Sequence, residues 1–126
     1  MLVAHLHFGG CCEEAIWFYQ KVFGTKADFI DRDDAGGIAH AEMHIHGQRV
    51  MMNDNYGGNG KDAGDFSIQM VLIFKTEEQF LQCYEILKEE SLSFDLPRKT
   101  FFSPLTAGIT DKFNIRWGLM VDGSID

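Results

Sequence analysis

The chain of 126 residues and 14.3 kDa has the length of one domain. At 45% hydrophobic residues, with eleven Phe, it can bury roughly two-thirds of its extended surface. Its formal charge of -8, with no Lys/Arg cluster, argues against a nucleic-acid backbone as partner, and no run approaches the roughly 18 apolar residues of a membrane span.

Met1 leads into LVAHLHF with neither a basic segment nor an apolar stretch of leader length. Leu2 to Phe8 alternates and predicts a strand, with Ala4, Leu6 and Phe8 on one parity and Val3, His5 and His7 on the other. In Glu13 to Gly24, EEAIWFYQKVFG, the residues Ala15, Phe18, Tyr19, Val22 and Phe23 share one face of a helix that lies on that strand. Gly24 fits a left-handed C-cap. Cys11 and Cys12 stand where the helix begins, so either amide dipoles lower a thiol pKa there or the residues only pack and cap. With Cys83 they make three cysteines in no metal-binding spacing, as expected of reduced thiols in a cytoplasm.

Lys26 to Ile30 reads as a short strand and Asp31 to Gly37, DRDDAGG, as a turn. Ile38 to Ile45 sets Ala39, Ala41, Met43 and Ile45 against His40, Glu42, His44 and His46, a strand with one apolar and one polar face. Gly47-Gln48 supplies a tight reversal into a strand from Arg49 to Asn53, and Asp54 to Asp65, rich in glycine, reads as a loop. The order then restarts. Phe66 to Phe74 is a strand, and Thr76 with Gln79 forms a capping box for a helix burying Phe80, Cys83, Tyr84 and Leu87. Leu92 to Leu96 is a short strand that Pro97-Arg98 interrupts, and Pro104 argues against an uninterrupted central strand in Thr100 to Ile109. Phe113 to Val121 closes the chain with Ile115, Trp117, Leu119 and Val121 inward.

Glu13 and Glu77 lie 64 residues apart, as do Val3 and Ser67, which points to a repeat. The expected fold class is α+β: one domain over 1–126 built from two βαβββ modules, 1–60 and 61–126, forming a curved open mixed sheet of about eight strands around a shared cleft. Parity turns Val3, His5 and His7 toward that cleft, with Ser67, Gln69, Val71 and Ile73 from the fifth strand and Arg116, Gly118 and Met120 from the last. His5, His7, Gln69 and Arg116 are the ligand-binding candidates. The imidazoles of His5 and His7, expected some 6–7 Å apart by strand alternation, could bind a metal, move a proton or simply line the sheet. His40, Glu42, His44 and His46 offer a second donor face that is otherwise solvated. Arg116 either clamps a carboxylate or phosphonate or pairs with an acidic neighbour.

Three segments, EEAIWFYQKVFG at 13–24, IAHAEMHIHGQRVMMNDN at 38–55 and ITDKFNIRWGLMV at 109–121, resemble the vicinal oxygen chelate superfamily of glyoxalase I, extradiol dioxygenases and fosfomycin- and bleomycin-resistance proteins. Within it they are most similar to the PhnB-like branch, through its "EAxxFYxxxFG" pattern and its "DxFGxxW" ending, with Asn114 in place of glycine. The resemblance implies homodimers and, in members with activity, a divalent metal held by His and Glu. Its ligand places fall here on Val3, Met51 or Met52, Ser67 and Gly118, none of which is His, Asp or Glu. The leading expectation is therefore a binder of small molecules with no cofactor, and with catalytic residues unknown. The acidic chain would favour cationic ligands. The alternatives are a metal-dependent lyase, isomerase or transferase using the histidines, and a protein-association module.

Overall fold

The computed structural model describes residues 1–54 and 68–123, so the glycine-rich stretch after Asp54 and the strand positions Phe66 and Ser67 lie outside the described residues. The chain divides into two compact units, Met1–Asp62 and Ala63–Asp126. The first contains β1 (Ala4–Phe8), α1 (Cys12–Phe23), β2 (Ala27–Arg32), β3 (Ile38–Ile45) and β4 (Gln48–Asp54). The second contains β5 (Met70–Phe74), α2 (Glu77–Leu87), β6 (Ser93–Phe94), β7 (Arg98–Thr100), β8 (Ser103–Thr110) and β9 (Arg116–Val121). Each is a βαβββ-like module of an α+β fold, the second with one strand divided into β6 and β7.

Both sheets are mixed in the same way. In the first the order is β1-β4-β3-β2, with β1 parallel to β4 and the remaining pairs antiparallel. In the second it is β5-β9-β8-β6, with β5 parallel to β9, the β9-β8 and β8-β6 pairs antiparallel, and β7 also antiparallel to β8. One face of each sheet carries a helix. Leu6 and Phe8 of β1, Met43 of β3 and Met52 of β4 are buried with Ala15, Phe18 and Tyr19 of α1. Leu72, Phe74, Ile109, Trp117 and Leu119 are buried with Phe80, Tyr84 and Leu87 of α2. Each such large side chain contributes roughly 1.5–3 kcal/mol by leaving water, so the helix-facing parity fixes the sheet's orientation and leaves the other face for function.

Several local expectations need correction. α1 begins at Cys12 with Cys11 as its N-cap residue, but no side chain of Cys11 caps it. Asp54, the last residue of β4 rather than the first of a loop, does so instead. Its Oδ1 accepts from the amides of Gly10 (3.0 Å) and Cys12 (2.9 Å), and its Oδ2 accepts from Ile38 N (2.9 Å). One carboxylate therefore ties the ends of β4 and α1 to the start of β3. Burial, with Asp54 beside it, pushes the Cys12 thiol up to about 12, the reverse of a reactive cysteine. Ile38, not Ala39, is buried at the start of β3, next to an irregularity in its pairing with β2. The reversal after β3 is made by His46 (φ 51°) and Gly47 (φ 76°), both left-handed as a two-residue hairpin turn requires, and Gln48 already belongs to β4.

In the second unit Thr76 Oγ1 accepts from Gln79 N at 3.2 Å, capping α2. Pro104 does not break β8. It is exposed near the strand's start, before the register with β9 begins at Thr106↔Met120 and where the β7 pairing is irregular, so its missing N–H removes no rung. The DKFNIRW segment closes on Asp111, which is fully buried. Its Oδ1 accepts from Phe113 N (2.9 Å) and Ile115 N (3.0 Å), and its Oδ2 accepts from the indole Nε1 of Trp117 (2.8 Å). Asn114 takes the left-handed conformation, φ 67°, that glycine would otherwise supply.

Candidate functional site

In the first unit the face turned away from α1 gathers His5 and His7 of β1, His40 and Glu42 of β3, and Met51 of β4, the register partner of both His5 and Glu42. The rings of His5 and His7 lie 4.4 Å apart, closer than strand alternation alone predicts, and His40 stands edge-on to His5 at 5.9 Å. Rotamer choice draws the rings together over the pleat. These three imidazoles do not share a carboxylate. Glu42 is held by Arg49 through Nε (2.6 Å) and Nη2 (2.9 Å) and by His40 Nε2 (2.7 Å), which lowers its pKa to about 2. His7 Nδ1 lies 2.6 Å from Asn53 Oδ1, and His44 Nδ1 lies 2.6 Å from Asp28 Oδ2 on an exposed edge. His46 leaves the strand face altogether, packing its ring on Phe23 at 6.0 Å. The donor face read along His40 to His46 is thus dispersed into separate pairs.

Burial, then the proximity of His7 and of His40, holds the His5 imidazole below its ordinary 6.5, and burial acts on His46 in the same direction. A lowered folded pKa means the unfolded chain binds more protons. Stability is therefore unaffected well above pH 6.5 and declines as pH falls through 6.5 toward the lowered folded values. The contribution of Glu42 has the same sign in a lower window, complete above its ordinary 4.5 and lost only as pH falls toward about 2. Thermal melts are expected to show a lower midpoint at pH 5.5 than at 7.5, with a smaller difference in His5→Asn. Equal differences in the two proteins would show that His5 takes no part.

In the second unit a cavity of about 260 Å³ opens on the sheet face opposite α2. Gln69 and Arg116, two of the residues singled out by parity, both line it, as do Val71, Gly118 and Met120 from the same predicted parity. Its floor is a pair of glycines in register across β8 and β9, Gly108↔Gly118. A Cβ on Gly118 would stand 3.0–3.2 Å from Nε2, Cδ and Oε1 of Gln69, so the amide lies broadside over that glycine. A Cβ on Gly108 would meet Arg116 Cζ and Asp95 Oδ2 at 2.9 Å each, with Arg116 Nη2 closer still. The two glycines leave room for two planar polar groups against the sheet.

Arg116 is partly held. Its Nη1 donates to Thr110 Oγ1 at 3.3 Å, while Nη2 is 3.9 Å from Asp95 Oδ2, too long for a hydrogen bond. Asp95 is set in place by its backbone: its N–H donates to Gly108 O (2.9 Å), its carbonyl accepts from Tyr84 OH (2.7 Å), and its Oδ2 accepts from Gly108 N (3.2 Å). Asp95, Arg98, Thr106 and Gly108, all lining this cavity, were not among the sequence candidates. They come from the segment around Pro97 and Pro104, where alternation is broken. The signal available there was Thr106, Gly108 and Thr110 at one parity, small and polar opposite Arg116 and Gly118.

A model of the glyoxalase/bleomycin resistance protein/dioxygenase superfamily matches residues 4–119. The chain belongs to that superfamily. It is similar to protein YjdN of Escherichia coli strain K12, 24% identical over 140 aligned positions that cover 95% of this chain and 94% of that protein. Among solved structures, the PhnB protein from Bacillus cereus has a TM-score of 0.83 at 24% identity, covering 95% of this chain and 98% of its own. Protein PA1353 from Pseudomonas aeruginosa has a TM-score of 0.82 at 20% identity, covering 97% of each.

Membership raises the question of the superfamily's metal, and the described side chains at its ligand places do not fit it. Val3 has no donor, Met51 offers only a thioether, Met52 is fully buried, and Gly118 has no side chain and lies under Gln69. Ser67 lies outside the described residues. Among the described residues no group of three or more His, Cys, Asp or Glu could hold a metal ion. No described helix is long and apolar enough to cross a membrane.

Proposed function

We propose that this member of the superfamily binds a small organic molecule in the cavity of its second unit, using its own polar side chains in place of a metal. The observation that carries this reading is the glycine floor. Gly108 and Gly118 keep the sheet bare where Arg116 and Gln69 lie, a cradle with a specific shape and a few convergent polar groups. At about 260 Å³ it lies just below the range of drug-sized sites, which suits a compact metabolite. Val71, half exposed, and Phe102 supply apolar wall. Binding itself would be the activity, as in sequestration. No disulfide joins Cys11, Cys12 and Cys83, in keeping with a reducing compartment.

A thermal-shift panel of metabolites and antibiotics, run on protein stripped with a chelator, tests this. A ligand present at about 100 times its Kd adds roughly 2.7 kcal/mol to stability and raises the midpoint visibly. At least one compound is expected to do so with the chelator present. A panel that is flat throughout, or shifts that disappear on chelation and return with added Ni²⁺, Zn²⁺ or Mn²⁺, would overturn the proposal.

A further inference from the structure

Resting on the binding reading above, we infer that the occupant of this cavity is a small organic monoanion, a carboxylate that Arg116 grips and that takes the place of Asp95 beside the guanidinium. Among the described residues the lining carries two guanidiniums, Arg98 and Arg116, against the one carboxylate of Asp95. These described groups sum to one positive charge inside a chain whose formal charge is -8. The overall charge is the wrong guide to the ligand here, because a recess with low-dielectric walls feels its own lining before it feels the distant surface. One negative charge on the ligand balances the site; a cation would raise its charge further.

The geometry narrows the class. A guanidinium offers five N–H donors in a rigid planar fork, and Thr110 takes one of them at 3.3 Å. Asp95 stands at 3.9 Å, well beyond the roughly 2.7–2.9 Å of a made charge-assisted bond. Asp95 cannot close that gap cheaply, because its backbone is fixed to Gly108 and Tyr84 and its Oδ2 already accepts from Gly108 N. It is a tethered, incomplete counter-ion. A free carboxylate is under no such tether and can meet the fork with two parallel bonds, with the Gln69 amide over the neighbouring glycine as a further donor. Val71, Phe102 and Met120 are among the lining that offers surface for an apolar body.

Calorimetric titration of the full chain with benzoate, and with benzamide as its neutral isostere, tests the inference, supported by amide NMR shifts of Gly108 and Gly118. Benzoate is expected to bind at least tenfold tighter than benzamide and to move both glycine signals. Arg116→Met should weaken benzoate at least tenfold and benzamide by much less, since only the charge-assisted part of the contact is specific to the carboxylate. Asp95→Asn should tighten benzoate, an increase that a misfolded protein could not give. Equal affinity for the two probes, or benzoate binding unmoved in both variants, would overturn the carboxylate assignment. So would a benzamide or benzylamine that binds this cavity while benzoate does not, and that result would leave small-molecule binding standing. Shifts from none of the probes, together with a flat metabolite panel, would overturn both.

Discussion

Gly108→Val is expected to abolish ligand binding in the second unit's cavity, lowering affinity at least tenfold, while the protein stays folded. Valine suits a strand, so the backbone accepts it. The new Cβ, however, needs space within 2.9 Å of Arg116 Cζ and Asp95 Oδ2. The guanidinium is the flexible end of a long side chain and moves away, while the tethered Asp95 carboxylate must give up its bond to Gly108 N, so the site is lost at a modest cost in stability. Gly24→Ala should behave in the reverse manner. Gly24 is left-handed (φ 62°) with open space around it, so alanine strains the α1 C-cap by about 1 kcal/mol and leaves binding intact. Titration of both variants with the same ligand, alongside thermal melts, checks the pair. Unchanged affinity in Gly108→Val would mean that the floor is not where the ligand rests.

Asp111→Ala should give the largest loss of stability in the second unit, about 3 kcal/mol or more. The carboxylate is fully buried and accepts from two backbone amides and the Trp117 indole, so alanine leaves three donors unsatisfied in a dry site. Asp111→Asn keeps one acceptor oxygen but turns an amide nitrogen toward a donor, and should fall between. Urea unfolding followed by tryptophan fluorescence measures this, with Trp117, 1% exposed, as the reporter. A loss below about 1 kcal/mol would show that the network is dispensable. The aspartate and tryptophan of the DKFNIRW segment are thus a structural lock on the turn before β9, which carries Arg116 into the cavity.

Much of this was legible because it is local. The stripe Ala15, Phe18, Tyr19 and Val22 is set by the 3.6-residue helical repeat, and the parity of Arg116, Gly118 and Met120 by the two-residue strand repeat; both follow from the backbone alone. Asn114 could be read as a left-handed stand-in for glycine for the same reason. What could not be read depends on partners distant in sequence. Asp54 caps a helix that starts 42 residues earlier, and nothing around it signals that. Gly108 acquires its meaning only when register sets it opposite Gly118, and Pro104 obscured the strand that makes this happen. Asp95, just after the two-residue β6, and Arg98, the first residue of the three-residue β7, enter the cavity on either side of Pro97, where the strands are too short for any periodicity to show. The polar face of β3 misled in the other direction, since alternation aligned His40, Glu42, His44 and His46, while the ion pairs to Arg49 and Asp28 and the turn at His46 separated them.

A crystal structure of chelator-treated protein soaked with benzoate tests the proposed site most directly. The expected result is carboxylate density over Gly108 and Gly118, within hydrogen-bond distance of Arg116, with the ring toward Val71 and Phe102 and no ion between ligand and protein. Benzoate lodged elsewhere with this cavity empty of it, or reaching the protein only through a metal ion after metal is restored, would contradict it.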